Sequence, residues 1–276
     1  MPLLCVALII VMSSITSALA DWSNIKIGTD GLYPPWNAKT DNGQFEGFEI
    51  DLAEDLCQRM GATCAIVSQR WDGILPALAT GKFDVVMAGI EITSEREKLV
   101  DFSTCYAAEV AVFAAKSDNA LAGTISPISR VNLTGVTPLA QTAINTLRQA
   151  LAGTTVGVQI ATDHADFVQR YFHDLVEIRY FDTIENLARD LDAGQIDAAL
   201  SSRGYWERTM EGESSLDLVL IGPDLMGDVF GRGIGAAFRK RDGDLRTQVN
   251  LAIEAARDDG TIAELSMRWF GYDLSC

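Results

Sequence analysis

Two stretches decide the fold: Ile74–Ala88 reads ILPALATGKFDVVMA and Leu187–Ser201 reads LARDLDAGQIDAALS. In both, a helical pattern with a terminal Leu (Leu78, Leu191) stops at a Gly (Gly81, Gly194), which suits a left-handed C-cap. An Asp (Asp84, Asp197) then opens a run with the character of a buried strand. The recurrence of this helix-to-strand unit predicts two similar α/β lobes. Open α/β sheets bind ligands at the carboxyl edge of their strands. Ala88-Gly89 from one lobe and Ser201-Ser202 from the other are therefore expected to face one cleft.

Outward from these units the alternation continues. Strand-like IKIGTD (25–30) precedes a helical pattern over 48–60, and CAIVSQ (64–69) precedes one over 72–80, before the strand FDVVMAGI (83–90). Further on come TVGVQI (155–160), a helix over 163–172, VEIRYFD (176–182), a helix over 183–193 and IDAALSS (196–202). Such alternation predicts an α/β fold of two lobes, each a parallel sheet with helices on both faces. The stretch 116–153 breaks the pattern, first Ser-, Thr-, Gly- and Pro-rich and then helical over 138–151; it reads as an insertion on the second lobe, about 117–153. IGAAFRK (234–240) and the helical patterns 243–258 and 260–269 have no strand partner nearby and are expected to return to the first lobe. Lobe 1 is then 21–107 with 234–276, lobe 2 is 108–233, and the two crossovers form a hinge.

The 276 residues carry 22 Lys and Arg against 38 Asp and Glu, a net charge of −16. A pI near 4.4 excludes a general affinity for nucleic acid or anionic membranes, while such a field attracts a cationic small ligand. Two His in the whole chain all but exclude a His-rich metal site. Leu3–Met12 (LLCVALIIVM) is an apolar run followed by Ala18-Leu19-Ala20, although no Lys or Arg precedes it. This reads as a secretory signal cleaved after Ala20, since the run falls short of the roughly 20 residues that span a bilayer. Cys5 leaves with the signal, and four cysteines remain for an oxidising compartment. Cys57 and Cys64 are the expected pair: one ends the helical pattern Phe48, Leu52, Leu56, Met60 and the other lies in the next strand, across Gly61. Cys105 and Cys276 either pair or stay free.

Several residues carry chemistry. Arg96, in ITSEREKLVDF, can grip a carboxylate through two parallel hydrogen bonds, or else pair with Glu95 on a solvated helix. Asp30 ends the first strand and is followed by Tyr33 and Trp36; Trp71 follows the second strand. A carboxylate beside aromatic faces binds a cation by charge and ring attraction together, although the rings also suit plain packing. Gln159 to His164 joins a strand to a helix, where backbone N–H groups favour a carboxylate; Asp163 reads as the N-cap of that helix, and His164 as a surface residue or a ligand contact. No G-x-S-x-G, C-x-x-C or phosphate loop occurs, and GRGIG (231–235) neither follows a clear strand nor opens a helix. No metal and no cofactor are expected.

Taken together, GTDGLYPPW, GFEIDLAEDLC, WDGILPALATGKFDVVMAGI, the Arg of ITSERE, TVGVQ, AGQIDAALSS and DGTIAELSMRWFGYD resemble the periplasmic solute-binding proteins of ABC transporters for polar amino acids. The resemblance spans the mature chain and is closest to the lysine/arginine/ornithine, histidine, octopine and nopaline binders. It implies a hinged, Venus-flytrap clamp (type II) that docks on a membrane permease. By the same resemblance Arg96 holds the ligand carboxylate, and Asp30 takes the cationic side chain between Tyr33 and Trp71. Main-chain groups around Ala88, Gly89, Glu91, Thr162 and Asp163 meet the amino-acid head, and Gln159 and His164 match positions of the nopaline-type pocket. Cys57 and Cys64 match the disulfide of the basic amino-acid binders. Three residues depart from the pattern: Ser202 replaces an Asp that takes the ammonium group, Gly89 replaces a small hydroxyl residue, and Glu91 adds an acid. The first two favour a substituted amine, as in an opine. The expectation is a monomeric, non-enzymatic periplasmic protein for a cationic amino acid or an opine, with no nucleic-acid partner. A plain basic amino-acid binder, a dehydratase-like enzyme on the same fold and a sensor module are the rivals.

Overall fold

The computed structural model describes residues 22–123, 130–135, 137–211 and 215–276. The expected signal, residues 1–20, lies outside the described residues. The first lobe begins with β1 (Asn24–Thr29), the small meander β2 (Leu32–Tyr33), β3 (Asn37–Lys39) and β4 (Phe45–Glu46), and α1 (Phe48–Met60). It continues through β5 (Thr63–Ser68), α2 (Ile74–Ala79), β6 (Val85–Val86), α3 (Ser94–Glu97) and β7 (Asp101–Phe102). The second lobe holds β8 (Ala111–Lys116), β9 (Arg130–Asn132), α4 (Pro138–Leu151), β10 (Thr155–Gln159), α5 (Asp163–Phe172) and β11 (Glu177–Phe181). It ends with α6 (Ile184–Asp192), β12 (Ala198–Ser202), α7 (Arg203–Thr209) and β13 (Leu218–Met226). The chain then returns as β14 (Ala237–Phe238), α8 (Gly243–Asp258) and α9 (Thr261–Phe270).

The repeated unit is repeated in detail. Gly81 and Gly194 both take positive φ, 80° and 66°. Each amide bonds back to the terminal Leu carbonyl, and the next amide reaches one residue further: Lys82 to Ala77 at 3.0 Å, Gln195 to Asp190 at 2.8 Å. Such paired bonds satisfy the last helical carbonyls. Asp84 and Asp197 then accept the backbone N–H of Lys26 (3.0 Å) and Thr155 (2.8 Å), tying each helix-to-strand unit to the first parallel strand of its own sheet.

The sheet orders are β5-β1-β6-β14-β7 and β11-β10-β12-β8-β13-β9. They correct the expectation of purely parallel sheets. β14 runs antiparallel to β6 and β7, and β8 antiparallel to β12 and β13. The reason is geometric: β8 and β14 enter their sheets from the hinge, at the edge where the parallel strands end, so they run against them. The strand expected over 83–90 shortens to Val85–Val86, and that over 234–240 to Ala237–Phe238.

In the first lobe α1, α8 and α9 cover one sheet face around Phe48, Leu52 and Phe238, while Ile74, Leu78 and Phe83 cover the other. In the second lobe Phe113, Phe167 and Phe172 lie on one face and Leu187, Leu191 and Trp206 on the other. The segment that broke the pattern belongs to this second core: α4 buries Ile144, Leu147 and Leu151, and β9 pairs with β13. Both disulfides form, Cys57–Cys64 with Cα atoms 6.2 Å apart and Cys105–Cys276 with 5.9 Å. The two crossovers lie side by side, Ile234 N–H bonding to Ala107 C=O at 2.7 Å and Tyr106 N–H to Ile234 C=O at 2.9 Å.

Candidate ligand-binding cleft

The carboxyl ends of β1, β6, β10 and β12 converge between the lobes on two adjoining cavities. Tyr33, Gly89, Asp163 and His164 line both. Asp30, Trp71, Ala88, Gln159 and Thr162 line the first, and Glu91 and Ser202 the second. Arg96 lines neither, although it touches residues that do. Ser201 lines the first cavity and Trp36 the second, while sequence reasoning missed Ile184 and Leu200 on the first and Glu109 and Phe230 on the second.

Asp30 directly follows β1 and is 8% exposed. Burial pushes its carboxyl up to about 6; the Trp71 N–H pulls the other way, Glu185 raises it further and Arg70 lowers it. The ring of Tyr33 stacks on Tyr205 of the second lobe, centroids 5.6 Å apart. A Cβ at Gly89 would stand 2.9 Å from that ring, and Gly89 has φ +61°. Room for Tyr33 and a left-handed backbone therefore account for the glycine, independently of any ligand amine.

The Gly89 amide corrects a sequence expectation. Rather than facing the cleft freely, it donates to both oxygens of Glu49 at 2.8 Å. Glu49 has no exposed surface and also accepts Asn37 Nδ2 (2.9 Å) and the Tyr106 hydroxyl. Burial raises its carboxyl to about 7 against those three donors. An acid in the first turn of a helix reads as a solvated, dipole-favoured residue, so nothing in the sequence marks Glu49 as buried.

Arg96 reaches across the cleft. Its Nη1 donates to Glu91 C=O at 3.0 Å, while Nη2 lies 3.5 Å from Ala161 C=O and 3.7 Å from Asp163 Oδ1. The guanidinium sits over the Trp71 ring, 5.5 Å from its centroid. Trp71 Nε1 in turn donates to the carbonyls of Ile160 (3.1 Å) and Ala161 (3.2 Å). The N-cap of α5 is Thr162, whose Oγ1 accepts Ala165 N–H at 3.1 Å, and not Asp163 as expected. Thr162 has the extended backbone a cap requires, and Asp163, already helical, turns its carboxylate to Arg96. Glu109, in the first crossover, accepts Trp36 Nε1 from lobe 1 (2.8 Å) and Gly204 N–H from lobe 2. Burial pushes it up to about 7, opposed first by the Gly204 N–H. His164 is held below its ordinary value by burial, which favours the neutral ring.

The arrangement is a closed, two-lobed clamp with one buried acid between aromatics and one guanidinium at a helix N-terminus. That geometry suits a small polar ligand and offers no nucleophile–base pair. Among the described residues no three His, Cys, Asp or Glu side chains group as a metal site.

The fold and cleft define the class, a periplasmic-binding-protein clamp of type II. The chain belongs to the bacterial extracellular solute-binding proteins, family 3, whose model matches residues 25–272. It is 36% identical to the octopine-binding periplasmic protein of Rhizobium meliloti, over 99% of this chain and 98% of that one. It is 30% identical to the histidine-binding periplasmic protein of Escherichia coli K12, over 98% and 97%. An ancestral arginine-binding protein bound to arginine superposes with a TM-score of 0.75 at 28% identity, covering 90% of this chain and 99% of that one.

Proposed function

We propose that this protein captures a cationic amino acid or an opine built on one and delivers it to the permease of an ABC importer. The observation that carries the reading is Asp30, buried beside Tyr33 and Trp71 in the first cavity, with Arg96 lying against that same Trp71. A carboxylate among ring faces takes a guanidinium or ammonium. A guanidinium at a helix N-terminus takes a carboxylate. Gln159, Thr162, Asp163, His164 and Ser202 complete the wall from the second lobe, and Ala88, Gly89 and Glu91 from the first.

On this reading lobe 1 spans 21–107 and 234–276, lobe 2 spans 108–233, and the chain is a monomer exported to the periplasm with cleavage after Ala20. Binding without turnover fits a cleft that lacks a catalytic constellation and relatives that are themselves named as binding proteins. The test is thermal unfolding of ligand-stripped protein with arginine, lysine, ornithine, histidine, octopine, nopaline and neutral amino acids. A ligand at about a thousand times its Kd adds about 4 kcal/mol, a shift of many degrees. A shift with opines alone selects the opine reading, and one with free arginine or histidine the plain binder. No shift with any cationic compound overturns the proposal.

A further inference from the structure

Among the described residues, one carboxylate on the second cavity has no hydrogen-bond or ion-pair partner. Asp30 accepts the Trp71 amide, Asp163 pairs with Arg96, and Glu109 holds Trp36 and Gly204. Glu91 lines the cavity, yet among the described residues its carboxylate accepts no hydrogen bond and forms no ion pair within 4 Å; the charges of Asp163, Arg96 and Glu109 act on it from a distance. Ser202 beside it is neutral, its Oγ capping α7 through Tyr205 N–H at 3.4 Å. Glu91 is half-buried, and a carboxylate that a ligand closes off from water needs a cation, a donor or a proton. A ligand carboxylate placed there would meet Glu91, Asp163 and Glu109 together, so an anion is the wrong occupant.

We propose that Glu91 is the acceptor for a second cationic nitrogen of the ligand, an α-ammonium or the secondary ammonium of an N-substituted amino acid. The proposal rests on the cation-binding reading of the Asp30 end and deepens it. The ligand class becomes one with two cationic nitrogens, the side-chain group at Asp30 and the backbone nitrogen at Glu91, and a carboxylate for Arg96. Glu91 takes over the work that a carboxylate at position 202 would do, from the opposite lobe. Burial and the neighbouring Asp163 favour a proton on Glu91, against the pull of Arg96. The other groups facing it are Glu109 on the crossover, His164 on α5 and Tyr106, whose hydroxyl is engaged by Glu49. An arriving ammonium therefore displaces that proton, and binding releases it to solvent.

The experiment is calorimetric titration of wild type and Glu91→Gln with L-arginine, octopine and argininic acid, the analogue with a hydroxyl in place of the α-ammonium. Buffers of different ionisation heat count the protons released. In wild type, arginine binds at least about tenfold tighter than argininic acid and releases more protons, since the release from Asp30 is common to both. In Glu91→Gln, arginine or octopine, whichever the wild type binds, weakens at least about tenfold, the extra proton release disappears, and the arginine preference shrinks. A Glu91→Ser variant repeats the test should Gln disturb folding, and the wild-type comparison requires no variant. Equal binding of arginine and argininic acid by wild type overturns the proposal, as does Glu91→Gln binding arginine and octopine as wild type does. If wild type binds none of the three, the reading of the Asp30 end falls as well, a result distinct from losing the ammonium preference alone.

Discussion

Replacing Asp30 by Asn separates what holds the ligand from what holds the fold. Asp30 is 8% exposed, and its carboxyl is pushed up from 3.8 to about 6, with burial as the main cause. Between those two values the folded state keeps a proton that the unfolded chain has lost. Stability is therefore full below pH 3.8 and declines as the pH rises through 6. The displacement corresponds to about 3 kcal/mol at neutral pH. Asn keeps an oxygen for the Trp71 amide and carries no charge. Asp30→Asn should therefore match wild type near pH 3.5 and exceed it at pH 7.5 by up to about 3 kcal/mol, at about 2–4 °C of Tm per kcal/mol for a chain of this size. The same variant loses a charge-assisted bond to the ligand cation, about 1.5–3 kcal/mol or about 10- to 150-fold in Kd. The assay pairs ligand-free melts at both pH values with an arginine titration at pH 7.5. A variant no more stable than wild type at pH 7.5, or one that binds arginine equally well, refutes the reasoning.

Three further variants test closure and cross-linking. Trp71→Phe keeps the ring and removes the donor to Ile160 and Ala161. It should cost the closed state about 0.5–1.5 kcal/mol, seen as ligand binding weakened about 2- to 12-fold and a larger radius of gyration without ligand; unchanged affinity counts against the latch. The two disulfides join residues 7 and 171 apart in sequence. Chain entropy predicts that removing the Cys57–Cys64 pair costs about 2–3 kcal/mol and the Cys105–Cys276 pair about 5; denaturation midpoints of the two double-Ser variants would expose a reversed order.

The units around Leu78 and Leu191 were legible because local chemistry fixes each feature: periodicity sets the helix, a positive-φ glycine ends it, and an Asp begins the return. Asp30, Tyr33, Trp71 and Gln159 were legible because strand ends in an α/β sheet point to one edge. What escaped the sequence depends on contacts far apart in the chain. The direction of β8 and β14 follows from where the hinge delivers them. Glu49, buried, and Glu109, half-buried, are held by partners 40 and 95 residues away, Gly89 and Gly204, which leave no trace in local composition. The N-cap of α5 was misplaced by one residue because Thr162 and Asp163 are both good caps, and only the position of Arg96 separates them.

The lobes meet through direct contacts: Trp71 on the carbonyls before α5, Arg96 toward Asp163, Tyr33 on Tyr205, and Arg70 within 3.6 Å of Asp182. A ligand shifts the open–closed balance only by the amount it binds the closed form better, so these contacts lower the gain it must supply. Asp163 is central to that balance. At 3.7 Å it is a loose partner for Arg96, beyond good hydrogen-bond distance. On the proposed reading the ligand carboxylate competes with it for Arg96. A bound carboxylate would replace this long contact by two short parallel bonds, and an ammonium at Glu91 would offset the charge of the displaced Asp163. The two ligand groups then act together: the carboxylate is accommodated in an acid-rich cleft because the nitrogen arrives with it.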